Sequence, residues 1–109
     1  MASEQKTVDY ILEQSAEAGV VTAKRMFGEY GLYCDGKIVA LICDDQLFIK
    51  PTEAGRSYLG DVVEGFPFPK ANPYFLIDGD RWDDSDWLAG LVKATADALP
   101  LPKPKKPKL

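Results

Sequence analysis

The dipeptide Asp35-Gly36, set between two runs of β-branched and aromatic residues, is the feature that most constrains the fold of this 109-residue chain. A tight two-residue hairpin turn needs positive φ at both central positions, and Asp-Gly meets that need. Asp44-Asp45 offers a second, weaker turn before Gln46–Lys50. The stretch Lys24–Lys50 is therefore predicted to form a three-stranded antiparallel meander.

The two turns also predict which side chains share a face of the sheet, because side chains alternate along a strand. One face is predicted to carry seven residues: Phe27, Tyr33, Ile38, Ala40, Ile42, Leu47 and Ile49. The other is predicted to carry five, with Lys37 and Lys50 at its margins: Tyr30, Leu32, Val39, Leu41 and Phe48. Because both faces are apolar, either both are core, or the second is partly open and offers Tyr30, Leu32 and Phe48 to a partner.

Helices are predicted before and after the meander. Residues 4–18 have apolar side chains at helical spacing, with Ser3 as N-cap and Gly19 as the stop. A short helix is predicted within Thr52–Val63, with Thr52 as its N-cap, and a longer one over Asp83–Leu99.

A fourth strand is predicted at Tyr74–Asp78, with Gly79 as a turn, after the proline-rich loop Gly65–Pro73. The predicted fold class is α+β: an antiparallel sheet, made of the meander and a returning strand, flanked by N- and C-terminal helices. Residues 1–99 are predicted to form this domain. Residues 100–109 alternate proline and lysine and are predicted to be a disordered tail.

Composition narrows the function. The chain has no histidine, which removes the commonest general base and metal ligand. Cys34 and Cys43 lie too far apart in the predicted register for a disulfide, so two free thiols are expected, as in a reducing compartment. No apolar run approaches the ~20 residues that span a membrane, and the N-terminus lacks a signal-peptide pattern. A cytoplasmic location without membrane association is expected.

Neither catalysis nor a cofactor is predicted from the motifs. The acidic stretch DGDRWDDSD, residues 78–86, lacks the glycine and the glutamate that a calcium loop needs at fixed positions, so its carboxylates are expected to cap a helix. The stretch from Gly28 to Gly31 lacks the third glycine of a phosphate-binding loop, and a bulge or close packing is expected there.

Charge bears on nucleic-acid binding. Residues 1–99 carry nine basic and seventeen acidic side chains, a net charge of −8, which repels phosphate. The tail is either a solubilising end or a weak, salt-sensitive contact for an acidic partner. The nucleic-acid hypothesis therefore rests on eight basic residues: Lys24, Arg25, Lys37, Lys50, Lys103, Lys105, Lys106 and Lys108.

The segment KRMFGEYGLYCDGK, residues 24–37, together with the apolar strand after it and Asp44–Lys50, resembles the N-terminal domain of the TfoX/Sxy family. The resemblance continues more weakly through Phe66–Pro69 and Tyr74-Phe75. It implies an α+β domain with an antiparallel sheet. It also implies a link to regulation of bacterial competence, through a transcription activator and without enzymatic activity.

The leading hypothesis is thus a cytoplasmic protein-interaction module with a role in transcription regulation. Aromatic and arginine side chains dominate interface hot spots, so five residues are predicted to make the contact: Arg25, Phe27, Tyr30, Tyr33 and Phe48. Direct nucleic-acid binding is the alternative, and oligomeric state is left open.

Overall fold

The computed structural model describes residues 3–26 and 28–100. Phe27 and the tail lysines lie outside these residues. The elements follow in chain order: α1 (Gln5–Ser15), a 3-10 turn (Ala16–Ala18), β1 (Val21–Met26), β2 (Glu29–Cys34), β3 (Lys37–Cys43), β4 (Gln46–Ile49), α2 (Glu53–Leu59), β5 (Glu64–Gly65), β6 (Tyr74–Ile77), α3 (Gly79–Trp82) and α4 (Ser85–Ala98).

The described strands form one antiparallel sheet in the order β1-β2-β3-β4-β6-β5. Both predicted turns are present. Asp35 and Gly36 join β2 to β3 with φ of 52° and 83°, and Asp44 and Asp45 join β3 to β4 with φ of 52° and 57°. The α+β fold class, the meander and the returning strand are confirmed, but the meander has four strands where three were predicted. The predicted first strand is divided into β1, which ends at Met26, and β2, which begins at Glu29, with Gly28 at a φ of 80° between them.

Between β2 and β3 the predicted register holds only next to the turn, whereas between β3 and β4 it holds throughout. Tyr33 pairs with Ile38, but Leu32 pairs with Ala40, so Val39 is an extra residue on β3. A bulge of this kind shifts the pairing by one residue. The predicted face assignment was therefore wrong on β2 and at the start of β3. Tyr30 and Leu32 share a face with Ala40 and Ile42, whereas Tyr33 and Ile38 lie on the opposite face with Leu41 and Phe48.

All the packed helices lie on one face of the sheet, here called the helix face. Its core joins α1 and α4 to the inward-facing strand residues, which include Tyr30, Leu32, Ala40, Ile42, Leu47, Ile49, Phe75 and Ile77. The opposite face, here called the helix-free face, has its own small buried cluster of Leu41, Cys43 and Phe48. No helical residue belongs to that cluster among those described.

The helix ends follow the sequence in part. Thr52 Oγ1 accepts a hydrogen bond from Gly55 N at 2.9 Å, which confirms this N-cap. Ser3 is not the N-cap of α1. That position is Glu4, because Ser3 Oγ instead accepts a hydrogen bond from Asp45 N at 2.9 Å.

The C-terminal part also differs in detail from the prediction. Gly79 begins the short helix α3 where a turn was predicted, and α4 begins at Ser85, with Asp84 as its N-cap. Glu64–Gly65 forms a short strand at the start of the predicted loop, because it pairs with β6. Cys34 and Cys43 are both free, as predicted, and the structure buries both. None of the described helices has the length and apolar character needed to cross a membrane.

Candidate interaction surface

The helix-free face is the part of the described fold that no helix covers. Around its buried cluster pack the partly buried side chains of Met26, Ile38, Tyr74 and Leu76. These residues share a face because side chains alternate along a strand. Leu41 and Cys43 lie two residues apart on β3, and Tyr74 and Leu76 lie two residues apart on β6. The sheet thus presents apolar side chains on both faces but covers only one with helices.

A groove of about 640 Å³ lies on this face. Its floor is the sheet and one wall is the loop after β5. Its lining includes the side chains of Met26, Ile38, Leu41, Cys43, Phe68 and Tyr74. Phe68 is 51% exposed and the nearby Phe66 is 62% exposed, so the wall itself offers aromatic surface to solvent. An exposed aromatic surface beside an apolar groove is typical of a binding site.

Gly31 packs against two residues that line the groove, Met26 and Ile38. A Cβ on Gly31 would lie 2.7 Å from Met26 Sδ and 3.3 Å from atoms of Ile38 and Tyr33. The missing side chain lets these three residues lie over the backbone of β2. The close packing predicted for the glycines of this stretch is therefore present at Gly31.

The polar groups of the groove are already engaged or uncharged. Glu29 Oε1 accepts a hydrogen bond from Ser3 N and Glu29 Oε2 one from Asp44 N, both at 2.8 Å. Burial, with the nearby carboxylate of Glu29, raises the pKa of Cys43 to about 11. The thiol is therefore neutral near pH 7, and the groove offers neither a free carboxylate nor a thiolate.

The predicted contact residues fall into two groups. Arg25 is exposed on β1, with its guanidinium 5.7 Å from the ring centroid of Tyr30, and Tyr33 is partly buried on the helix-free face. Tyr30 is only 6% exposed, on the helix face, and Phe48 only 3% exposed, on the helix-free face. Tyr33 and Phe48 thus lie on the face that has the groove without lining it, and Arg25 lies on the other side of the sheet. Tyr30 packs into the helix-face core, yet among the described contact residues it is the one that also lines the groove.

The predicted nucleic-acid residues do not form one patch among the described residues. Lys37 Nζ donates a hydrogen bond to Ala96 O at 2.8 Å, near the C-terminal end of α4. Lys24 and Arg25 are exposed together on β1, and Lys24 Nζ lies 5.2 Å from the ring centroid of Tyr33. Lys50 follows β4, three strands away, or ~14 Å across the sheet. Among the described candidates only Lys24 and Arg25 are consecutive, and as successive strand residues they face opposite sides of the sheet.

One carboxylate of the acidic stretch caps a helix as predicted, whereas Asp78, at the N-cap of α3, makes no side-chain cap bond. Asp84 Oδ1 accepts a hydrogen bond from Trp87 N at 3.1 Å at the start of α4. Asp83 accepts one from the hydroxyl of Tyr10 and thereby raises the pKa of that phenol. Within residues 3–26 and 28–100, no three cysteine, aspartate or glutamate side chains come together as a metal site.

Sequence reasoning missed most of the groove. Met26, Leu41, Cys43 and Tyr74 are distributed over β1, β3 and β6, and only the sheet order brings them together. One local signal was available. Phe66 and Phe68 alternate with prolines in a loop, where aromatic side chains have no strand or helix to bury them.

The fold and its groove define a small α+β domain with one helix-free sheet face. The sequence model of the TfoX N-terminal domain family matches residues 13–99, and the chain belongs to this family. It is also 38% identical, over 108 residues, to a protein of Spirochaeta aurantia described as an uncharacterized 12.7 kDa protein in the trpE 5′ region. That match covers 99% of this chain and 93% of the relative.

Proposed function

We propose that this chain is a non-enzymatic protein-interaction module that binds its partner in the groove of the helix-free face. The observation that carries the proposal is an apolar groove of about 640 Å³ beside the exposed ring of Phe68. The resemblance to competence regulators supports a partner that acts in transcription. Two buried free thiols are in keeping with a cytoplasmic location.

A protein fits this groove better than a small substrate does. Small-molecule sites place a few convergent polar groups that orient the ligand. Here the carboxylate of Glu29 is already bonded to two backbone N–H groups, and the raised pKa keeps the thiol of Cys43 neutral. An apolar or aromatic anchor from a protein needs only the shape and the apolar surface.

The test uses photo-cross-linking from a groove position. A photoreactive amino acid replaces Phe68 in the full chain, and a control chain carries it at Tyr10, which is 37% exposed on α1. We expect one protein to be cross-linked from position 68 and not from position 10. Cross-linking to nucleic acid, or equal cross-linking from both positions, would contradict the proposal.

The partner is then measured against two matched variants with purified components. Phe66 and Phe68 are both exposed, but only Phe68 lines the groove. Phe68→Ala should weaken binding about tenfold or more, as truncation of an aromatic anchor does. Phe66→Ala should leave the affinity within about twofold. Equal effects of the two substitutions would remove the groove from the binding site.

Nucleic-acid binding remains the competing proposal, and the two exposed basic side chains of the edge strand β1, Lys24 and Arg25, favour it. Phosphate contacts weaken steeply as salt rises, whereas apolar contacts do not. Amide NMR spectra with short duplex DNA, at low and physiological salt, test it on the full chain and on a chain that ends at Leu99. Shifts in residues 3–99 that persist at physiological salt in the shorter chain would support this reading.

A further inference from the structure

The two ends of the sheet differ in a way that bears on how a partner binds. One end is β5, which has only two residues, and short edge strands resist pairing with another chain. The other end is β1, with six residues from Val21 to Met26. An edge strand of that length is a template for a further strand.

The direction of the backbone hydrogen bonds shows which N–H and C=O groups of β1 point away from β2. Asp35 N donates to Val20 O at 2.9 Å, so the backbone of Val20 is directed toward β2. In an antiparallel pair this direction alternates along the strand, so Val21, Ala23 and Arg25 direct their N–H and C=O groups to the open edge. Among residues 3–26 and 28–100, nothing forms a hydrogen bond with these groups.

Charge indicates what kind of strand fits. Lys24 and Arg25 are both exposed, and as adjacent strand residues they lie on opposite faces of the sheet. They stand out on a body whose net charge over residues 1–99 is −8. An incoming strand with acidic residues would meet a positive side chain on either face, and opposite charges across strands are favourable.

A second copy of the chain fits less well. Antiparallel pairing of β1 with itself would bring two lysines and two arginines close together, and like charges on facing strands are destabilising.

The edge and the groove meet at Met26, which is the last residue of β1 and also lines the groove. We propose that β1 accepts an extended, acidic segment of the partner protein as an additional strand, with its apolar residues beside Met26. This inference rests on the proposed function, because it names how that partner binds. Main-chain hydrogen bonds supply affinity in this mode, and alternate side chains supply specificity.

The test is amide hydrogen exchange by NMR on the full chain. The probe is a capped peptide of about ten residues that alternates valine with glutamate, added at about 1 mM because single added strands bind weakly. We expect the amides of Val21, Ala23 and Arg25 to exchange at least about threefold more slowly. The amides of Thr22 and Lys24 should not change, since they already point to β2. Uniform slowing along β1, or none, would overturn the proposal.

Charge provides the matched controls. The same peptide with lysine in place of glutamate should leave the three amides unchanged. In the double variant Lys24→Glu, Arg25→Glu, the preference should invert, so that the basic peptide protects them and the acidic one does not. Equal protection by both peptides, in either protein, would overturn the charge argument.

A backbone variant separates this inference from the proposed function. Ala23→Pro removes one outward N–H, and proline is tolerated where the N–H of an edge strand faces solvent. Ala23→Pro should bind the cross-linked partner about tenfold more weakly. The NMR spectrum of the variant should remain that of a folded protein. If cross-linking from position 68 persists and Ala23→Pro binds normally, the groove stands and strand addition fails. If no protein is cross-linked from position 68, the proposed function is contradicted, and strand addition loses the partner on which it rests.

Discussion

At the scale of single residues, Cys43 shows how burial removes reactivity. Its pKa of about 11 leaves ~0.1% thiolate at pH 8, about a hundredfold less than a thiol with a pKa of about 9. In a Cys34→Ala background, alkylation of the folded protein at pH 8 should be about a hundredfold slower than alkylation of the urea-unfolded protein. The rate should rise about tenfold per pH unit up to about pH 11.

The raised pKa of Cys43 also makes the stability of the fold depend on pH. The thiol of Cys43 is more acidic in the unfolded chain, so unfolding releases its proton more readily at high pH. Its contribution to stability is present below about pH 9 and is lost as the pH rises toward about 11. A fast alkylation rate at pH 8 would contradict both statements.

Lys37 has a structural partner where the sequence suggested a phosphate contact. Its amine binds Ala96 O at the negative end of α4. Lys37→Met keeps most of the apolar stem and should lower the free energy of unfolding by about 1 kcal/mol, measured in urea.

The control for Lys37 is Lys93→Met, because Lys93 lies on α4, the helix that Lys37 contacts from β3. Lys93 is 63% exposed and pairs with Asp97 at 3.6 Å, so its loss should cost less than about 0.5 kcal/mol. If the two substitutions cost the same, the amine of Lys37 is not a cap of α4, and it is available for other contacts.

At the scale of elements, the β3–β4 turn depends on the start of the chain. Glu29 joins Ser3 N to Asp44 N, and Ser3 Oγ accepts from Asp45 N. Glutamine has one oxygen and would turn an NH2 group toward one of the two N–H groups. Glu29→Gln should therefore lower the free energy of unfolding by about 1–2 kcal/mol in urea.

An exposed residue provides the comparison for Glu29. Glu13→Gln on α1 should change the free energy of unfolding by less than about 0.5 kcal/mol. Amide exchange at Asp44 should also speed up in Glu29→Gln and not in Glu13→Gln. Unchanged exchange at Asp44 would mean that Glu29 does not hold the turn.

The turns and the bulge differ in how far the sequence predicts them. Asp35-Gly36 is predictable because positive φ is a property of the two turn residues themselves. The extra residue Val39 carries no such signal, because any β-branched residue suits a regular strand equally well. That one residue moved Tyr30 and Leu32 to the helix face.

At the scale of the whole molecule, the two sheet faces should respond differently to truncation. Leu91 is fully buried between α4 and the sheet, so Leu91→Ala should lower the free energy of unfolding by about 2–5 kcal/mol. Phe68→Ala should change it by less than about 0.5 kcal/mol, since its ring is half exposed. Urea unfolding measures both. A large loss for Phe68→Ala would make the groove wall part of the core.

The family, the α+β class and the meander followed from the sequence because each depends on local patterns: turn residues, apolar alternation and helical spacing. The start of α2 at Thr52 followed from the same kind of signal, whereas the helix ends at Leu59, before the predicted Val63. The tertiary structure decided which face the helices cover and which side chains meet in the groove. Met26, Leu41 and Tyr74 come from three strands, and only long-range pairing and a one-residue bulge bring them to one surface.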